Sequence, residues 1–213
     1  MDNGSRRPES IIYMRNVAIE LEKITGLPVT SCGIMHSHKV DTSKLGGQPG
    51  LSMESFFLSN EAELVKKLSF VPMFLGPSLA ITDWLPKKLN EWSKNGENRE
   101  FSIADCLFQN KDHRIARSLS EYVFDLIPQC SSQKPFVILV DHGTPLPEVN
   151  EVREKIGNIL KEILGNQISG FSTACMERRE GTEYDFNDPL LETLLEQEKA
   201  SGSSCVILAQ LFL

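Results

Sequence analysis

Three short segments recur along the chain at nearly constant distance, and this repeat constrains the fold more than any other feature. Asp2-Asn3-Gly4-Ser5-Arg6-Arg7-Pro8 matches Asp141-His142-Gly143-Thr144-Pro145-Leu146-Pro147. Ser31-Cys32-Gly33-Ile34-Met35-His36 matches Ser172-Thr173-Ala174-Cys175-Met176-Glu177. Val71-Pro72-Met73-Phe74-Leu75 matches Ala209-Gln210-Leu211-Phe212-Leu213. The offsets are 139, 141 and 138 residues. Self-similarity at a fixed period marks a duplicated structural unit. The 213 residues therefore predict two similar units, 1–130 and 136–213, joined by a linker at 128–135. The repeat also predicts two gaps. The strand at 136–140 has no counterpart ahead of Met1, and the Gly-Pro turn after Leu75 has none after Leu213.

Within each half, strand and helix patterns alternate. Residues 136–140 are a short apolar run of strand length, followed by Asp-His-Gly-Thr-Pro. Val149, Val152, Ile156, Ile159, Leu160 and Ile163 then fall near the 3.6-residue period of a helix over 149–164, which Gly165 and Asn166 end. Residues 168–176 and 205–213 read as strands, and 190–198 as a helix. The first half reads as helix 11–24, strand 29–35, helix 53–67, strand 70–75, helix 84–92, a polar turn at 94–99 and helix 113–127. Strands alternating with helices predict an α/β fold with parallel sheets flanked by helices.

Composition excludes several classes. The chain is 40% hydrophobic and 24% charged, as in ordinary globular proteins. Its apolar runs are strand-sized, far short of the ~20 residues that a membrane span needs. The first ten residues are polar, so no signal peptide is expected. A formal charge of −7 disfavours nucleic-acid binding. Five cysteines, an odd count with no CxxC pair, predict small buried thiols in a reducing compartment rather than disulfides or a structural zinc site.

His142 is the sharpest candidate for chemistry. It follows an apolar strand and precedes Gly143, and ligands of parallel α/β sheets bind outside the carboxyl ends of the strands. Imidazole is the commonest metal ligand and titrates near neutrality. The competing reading is a histidine that merely caps the turn. Glu177 closes the next strand, so the same sheet edge would hold both residues for metal binding or proton transfer; the alternative is a solvated carboxylate. Arg178 and Arg179 could clamp substrate carboxylates, or form a solvated charged loop. His36 and His38 flank Ser37 at the matching point of the first half, where solvent-facing loop histidines are the commoner case. His113 reads as a surface residue. No P-loop, Gly-x-Gly-x-x-Gly or Gly-x-Ser-x-Gly pattern occurs.

At these residues a family resemblance becomes specific. Asp141-His142-Gly143-Thr144 resembles the strand-end His-Gly-Ser motif of CbiX-like sirohydrochlorin chelatases, a branch of the class II tetrapyrrole chelatases. Val71 to Pro77 resembles their second strand signature, Val-Pro-Leu-Phe-Leu with a Gly-containing turn. Asp83 to Pro86 resembles the Asp-Ile-Pro that follows, and Met176-Glu177 the Leu-Glu that ends the intervening strand. The similarity runs over nearly all of both halves.

The resemblance implies two similar α/β lobes, with the tetrapyrrole held between them. It implies insertion of Co²⁺ or Fe²⁺ into the macrocycle, for cobalamin or siroheme biosynthesis. The metal is then a substrate, no organic cofactor is needed, and the protein is cytoplasmic. The expected partner is the tetrapyrrole, with no nucleic acid and no membrane; a homo-oligomer stays open. Carried over by position, His142 matches the catalytic histidine and Glu177 the carboxylate, both also metal ligands. Gly143, Thr144, Arg178, Arg179, Gly76, Pro77 and Ser78 fall on substrate-binding positions. Three positions depart from the pattern. Asn3 stands for the histidine in the first half, and His36 for the glutamate. The family's other histidine would fall near Leu79-Ala80-Ile81, which has none, or beyond Leu213. A non-catalytic tetrapyrrole or metal carrier on the same fold is the alternative, and a generic α/β ligand-binding domain a third.

Overall fold

The computed structural model describes residues 1–130 and 133–212; Ser131 and Ser132 of the expected linker and Leu213 of the expected last strand lie outside them. The chain divides into two compact units, Met1–Leu107 and Phe108–Leu213.

The first unit opens with helix α1, Pro8–Thr25. Proline at the first helical position costs no hydrogen bond. Gly26 ends the helix at φ 68°, its N–H returning to the Glu22 carbonyl. The helix expected over 53–67 is two short ones, α2 Met53–Phe57 and α3 Asn60–Leu64. Ser59 breaks the run because its Oγ accepts the Ala62 N–H and caps α3. Strand β1, Lys67–Phe70, precedes a π-helical turn Ala80–Trp84 and helix α4, Leu85–Lys94. Strand β2, Glu100–Ile103, pairs in parallel with β1, from Lys67↔Glu100 to Phe70↔Ile103.

Two strand expectations shift here. The run 71–75 lies outside β1 and is tied to Met1: the Met1 ammonium donates to the Val71 carbonyl and the Met73 N–H to the Met1 carbonyl. Residues 29–35 form no ladder. Gly33 makes single parallel bridges to Asp2 and Ser52, which are its partners among the described residues.

The second unit contains α5 Arg114–Leu126, β3 Phe136–Asp141, α6 Pro147–Leu164, β4 Gly170–Cys175, α7 Leu191–Ser201 and β5 Val206–Gln210. Its sheet is parallel throughout, in the order β4-β3-β5. Val137, Ile138 and Leu139 at the centre of β3 have no exposed surface, as befits a strand covered on both faces. The sequence placed α5 in the first half, with a cut near residue 130. In the structure α5 packs against α6 and β5, so the division falls before it.

A disulfide joins Cys130 to Cys205, with Cα atoms 5.8 Å apart, while Cys32, Cys106 and Cys175 remain thiols. The expectation of five free thiols is therefore corrected. The pair is 75 residues apart in sequence; only the fold, which sets the head of β5 beside the entry to β3, brings it within bridging distance. Its presence removes the cysteine argument for a reducing compartment. Among the described residues, no helix is long and apolar enough to cross a membrane.

The duplication is visible in the hydrogen bonding. α1 and α6 are each 18 residues long, with Pro at their starts and Gly at their ends. The Met1 and Val140 carbonyls accept from Met73 and Leu211. The Asp2 and Asp141 carbonyls accept from Ile34 and Met176, both at 2.8 Å. Those of Asn3 and His142 accept from Met35 and Glu177, both at 3.1 Å. This corrects the middle segment by one residue. Met35, not His36, occupies the place of Glu177; matching residue types by eye missed the shift that the backbone bonding fixes.

Candidate functional site

The site candidate is the turn after β3. Asp141 ends the strand, and its Oδ1 accepts the Gly143 N–H at 3.0 Å. Gly143 adopts φ +91°, and a Cβ there would lie 2.0 Å from the Glu177 carbonyl oxygen. Only glycine lets the two strand ends approach so closely. The Glu177 N–H donates to the His142 carbonyl, so these two residues sit side by side at the carboxyl edge of β3 and β4. Both side chains are exposed. The His142 ring packs at 4.6 Å, centroid to centroid, against Phe212, just past β5.

Beneath the turn lies a buried polar group that the sequence reading missed. Arg153 on α6 is 1% exposed. Its Nη1 donates to Asp141 Oδ1 at 3.2 Å, its Nη2 to the Asn187 carbonyl at 3.1 Å, and its Nε to Glu154 Oε1 at 2.9 Å. Glu154 also accepts from Thr173 Oγ1 of β4. Asn187, fully buried, accepts the Thr144 N–H at 3.0 Å and returns its amide to the Thr144 carbonyl at 2.8 Å. One signal pointed to Arg153: it falls on the apolar stripe of α6, between Val149 and Ile156, where a charge must find partners.

The two arginines of the following loop differ. Arg178 is engaged by Asp185 at 2.6 Å and Asp188 at 3.1 Å, and the Asp185 bond raises its guanidinium above the ordinary value. It braces the loop that carries Asn187. Arg179 is exposed, with its guanidinium 5.8 Å from the Tyr184 ring. Gly76 is buried, its carbonyl accepting from Ser78 N–H and Cys106 Sγ. Pro77 is exposed, and the buried Ser78 hydroxyl has no hydrogen-bond partner among the described residues.

In the first unit the corresponding turn carries Asn3, with Met35 beside it, both exposed. Gly4 adopts φ +82° against the Met35 carbonyl, and its N–H donates to Asp2 Oδ1 at 3.0 Å. Met14 occupies the position of Arg153 at the offset of 139. Burial pushes the Asp2 carboxyl above its ordinary value. His36, at φ 66°, is half-buried, and His38 is exposed.

Among the described residues, no three His, Cys, Asp or Glu side chains converge to hold a metal. Burial raises the thiols of Cys175 and Cys106, and pushes that of Cys32 up to about 12, so all three are protonated at neutral pH. His142 and Glu177 are joined through their backbones, and both side chains are exposed. The concavities of 420 and 580 Å³ lie around Ser169, toward the other end of the sheet.

The fold is one already seen in a solved structure. SirB from Bacillus subtilis, solved with Fe³⁺, matches with a TM-score of 0.61 at 13% identity, over 98% of this chain and 84% of its own. At that identity the likeness establishes the fold, which is chelatase-like α/β with two parallel-sheet units. No protein-family model and no curated protein matches the chain.

Proposed function

We propose that this protein inserts a divalent metal, Co²⁺ or Fe²⁺, into sirohydrochlorin, as the resemblance to CbiX-like chelatases implies. The observation that carries the reading is the Asp-His-Gly-Thr turn at the carboxyl edge of β3, with Glu177 bonded alongside, on a fold shared with SirB. Metal entry displaces two protons from the inner nitrogens of the macrocycle. Neutral His142 accepts a departing proton, passes it to solvent, and offers a nitrogen to the incoming metal. Glu177 supplies an anionic oxygen beside it, and the exposed Arg179 faces the substrate's carboxylates. Gly143 and Thr144 give the macrocycle close access to backbone. By the resemblance alone, Gly76, Pro77 and Ser78 of the first unit are also assigned to substrate binding. Arg178 contributes by holding the loop.

A second reading is a tetrapyrrole or metal carrier. Asn3 and Met35 favour it, because neither side chain can take up a proton at the matching turn. One optical experiment separates the two. Sirohydrochlorin is titrated with protein, then Co²⁺ or Fe²⁺ is added. A bound spectrum followed by catalytic conversion to the metallated product is expected. Binding with at most one conversion per protein indicates the carrier, and no binding contradicts both.

A further inference from the structure

We propose that Arg153 is the positioning residue of the His142 turn; this rests on the reading of His142 as the proton acceptor. The guanidinium brackets His142 from both sides. One arm holds Asp141, the residue before it, and the other holds Asn187. The Asn187 side chain in turn clamps both the N–H and the carbonyl of Thr144, two residues after it. The third contact, to Glu154, ties the cluster to Thr173 on β4. Asp141, Thr144 and β4 are thus fixed by one side chain that is 99% withdrawn from solvent.

The first unit is an internal control. Its turn has the same glycine conformation, the same Asp-to-glycine bond and the same strand-end bonds. It forms with Met14 where Arg153 stands and with a single 3.4 Å bond, Ser5 N–H to Ser37 Oγ, where Asn187 makes two. Arg15, next to Met14, bonds the Leu45, Gln48 and Pro49 carbonyls, but the bond to the Asp2 carboxylate comes from Gly4 N–H, so a guanidinium on the aspartate is not needed to build this turn. A buried charge is costly, and apolar replacements of buried ion pairs are often at least as stable. The arginine bonded to the turn's aspartate occurs in the unit that carries the histidine, and methionine takes its position in the unit that carries asparagine. What Arg153 adds is rigidity at the one position where a proton must be met at a set distance.

The test compares Arg153→Met, Arg153→Lys and Asn187→Ser in the full chain. The first copies the first unit, and the third shortens the clamp on Thr144. Three quantities are read: amide hydrogen exchange at Gly143 and Thr144, kcat for Co²⁺ insertion, and KM for sirohydrochlorin. Expected are exchange faster by roughly ten-fold or more, kcat lower by roughly ten-fold to a hundred-fold, and KM within about two-fold. Arg153→Lys should recover part of kcat. The amides of Gly4 and Ser5 should be unchanged in every variant. Unchanged exchange at Gly143 and Thr144, or a kcat that falls only with the folded fraction, overturns the inference. If Arg153→Met fails to fold, Asn187→Ser gives the same readouts. If the natural protein inserts no metal, the proposed function fails. The inference is then decided by exchange and by the mobility of the His142 ring in NMR, which must rise in Arg153→Met for it to stand.

Discussion

The turn after Val140 and the turn after Met1 are built on one plan and hold different residues. Both need an aspartate whose Oδ1 takes a glycine N–H, and both need that glycine at positive φ beneath a neighbouring carbonyl. They part at the side chains. The second carries His142 and Glu177, with a buried Arg153 bonded to its aspartate; the first carries Asn3 and Met35, with Met14 at the matching sequence offset. What is common to the two is what the backbone requires. What differs are the side chains to which the proposed chemistry is assigned.

The comparison breaks first, and hardest, at the glycines. Gly143→Ala and Gly4→Ala should each destabilise their own unit by about 2–5 kcal/mol, from strain at positive φ and overlap with a carbonyl oxygen. Similar losses in urea unfolding would support the shared plan. A tolerated Gly4→Ala beside a damaging Gly143→Ala would show that the first turn is looser than described.

The aspartates should respond with opposite signs. Asp141→Asn leaves buried Arg153 short of a counter-charge and should cost roughly 3 kcal/mol. Asp2 has no such partner at position 14, and burial raises its carboxyl. Between its unfolded and folded pKa values, the folded state holds a proton that the unfolded chain has lost. The first unit's stability therefore falls as pH rises through that window, then levels off. Asp2→Asn keeps an oxygen for the Gly4 N–H and removes that pH dependence. It should leave neutral-pH stability unchanged or higher, as thermal melts from pH 4 to 8 would show. Equal losses from the two substitutions would contradict the assigned role of Arg153.

The smallest effect is at Glu177. Its carboxylate is exposed, so its field is screened, and Glu177→Gln should weaken Co²⁺ association by roughly ten-fold or less with stability unchanged. A total loss of insertion would make Glu177, not His142, the principal group.

Much of this was legible in the sequence, and the misses have physical causes. The apolar run before Asp141 announced β3, and a histidine at its end stood out because a parallel sheet presents that edge to ligands. The helix at 149–164 followed from apolar residues near the 3.6-residue period and a Gly-Asn stop, and 11–24 read as helical. Met35 was misread as His36 because short apolar strands match about equally well in neighbouring registers. Strand β2 is four residues of mixed polarity, too short for a period to show. Asn187 lies in an irregular loop, and its importance comes from partners 43 residues away in sequence. Arg153 could have been suspected from its place on an apolar stripe, but not its partners. The Cys130–Cys205 bridge depends on strand order, which spacing does not reveal.

The central claim is that the second unit's turn performs the chemistry while its counterpart does not. It is tested most directly by single-turnover Co²⁺ insertion into sirohydrochlorin, followed optically, for His142→Ala and Asn3→Ala against the unchanged protein. The account predicts a loss of roughly a hundred-fold or more for His142→Ala, the usual scale for a general base, and a few-fold at most for Asn3→Ala. Equal losses, or full activity in His142→Ala, would contradict it.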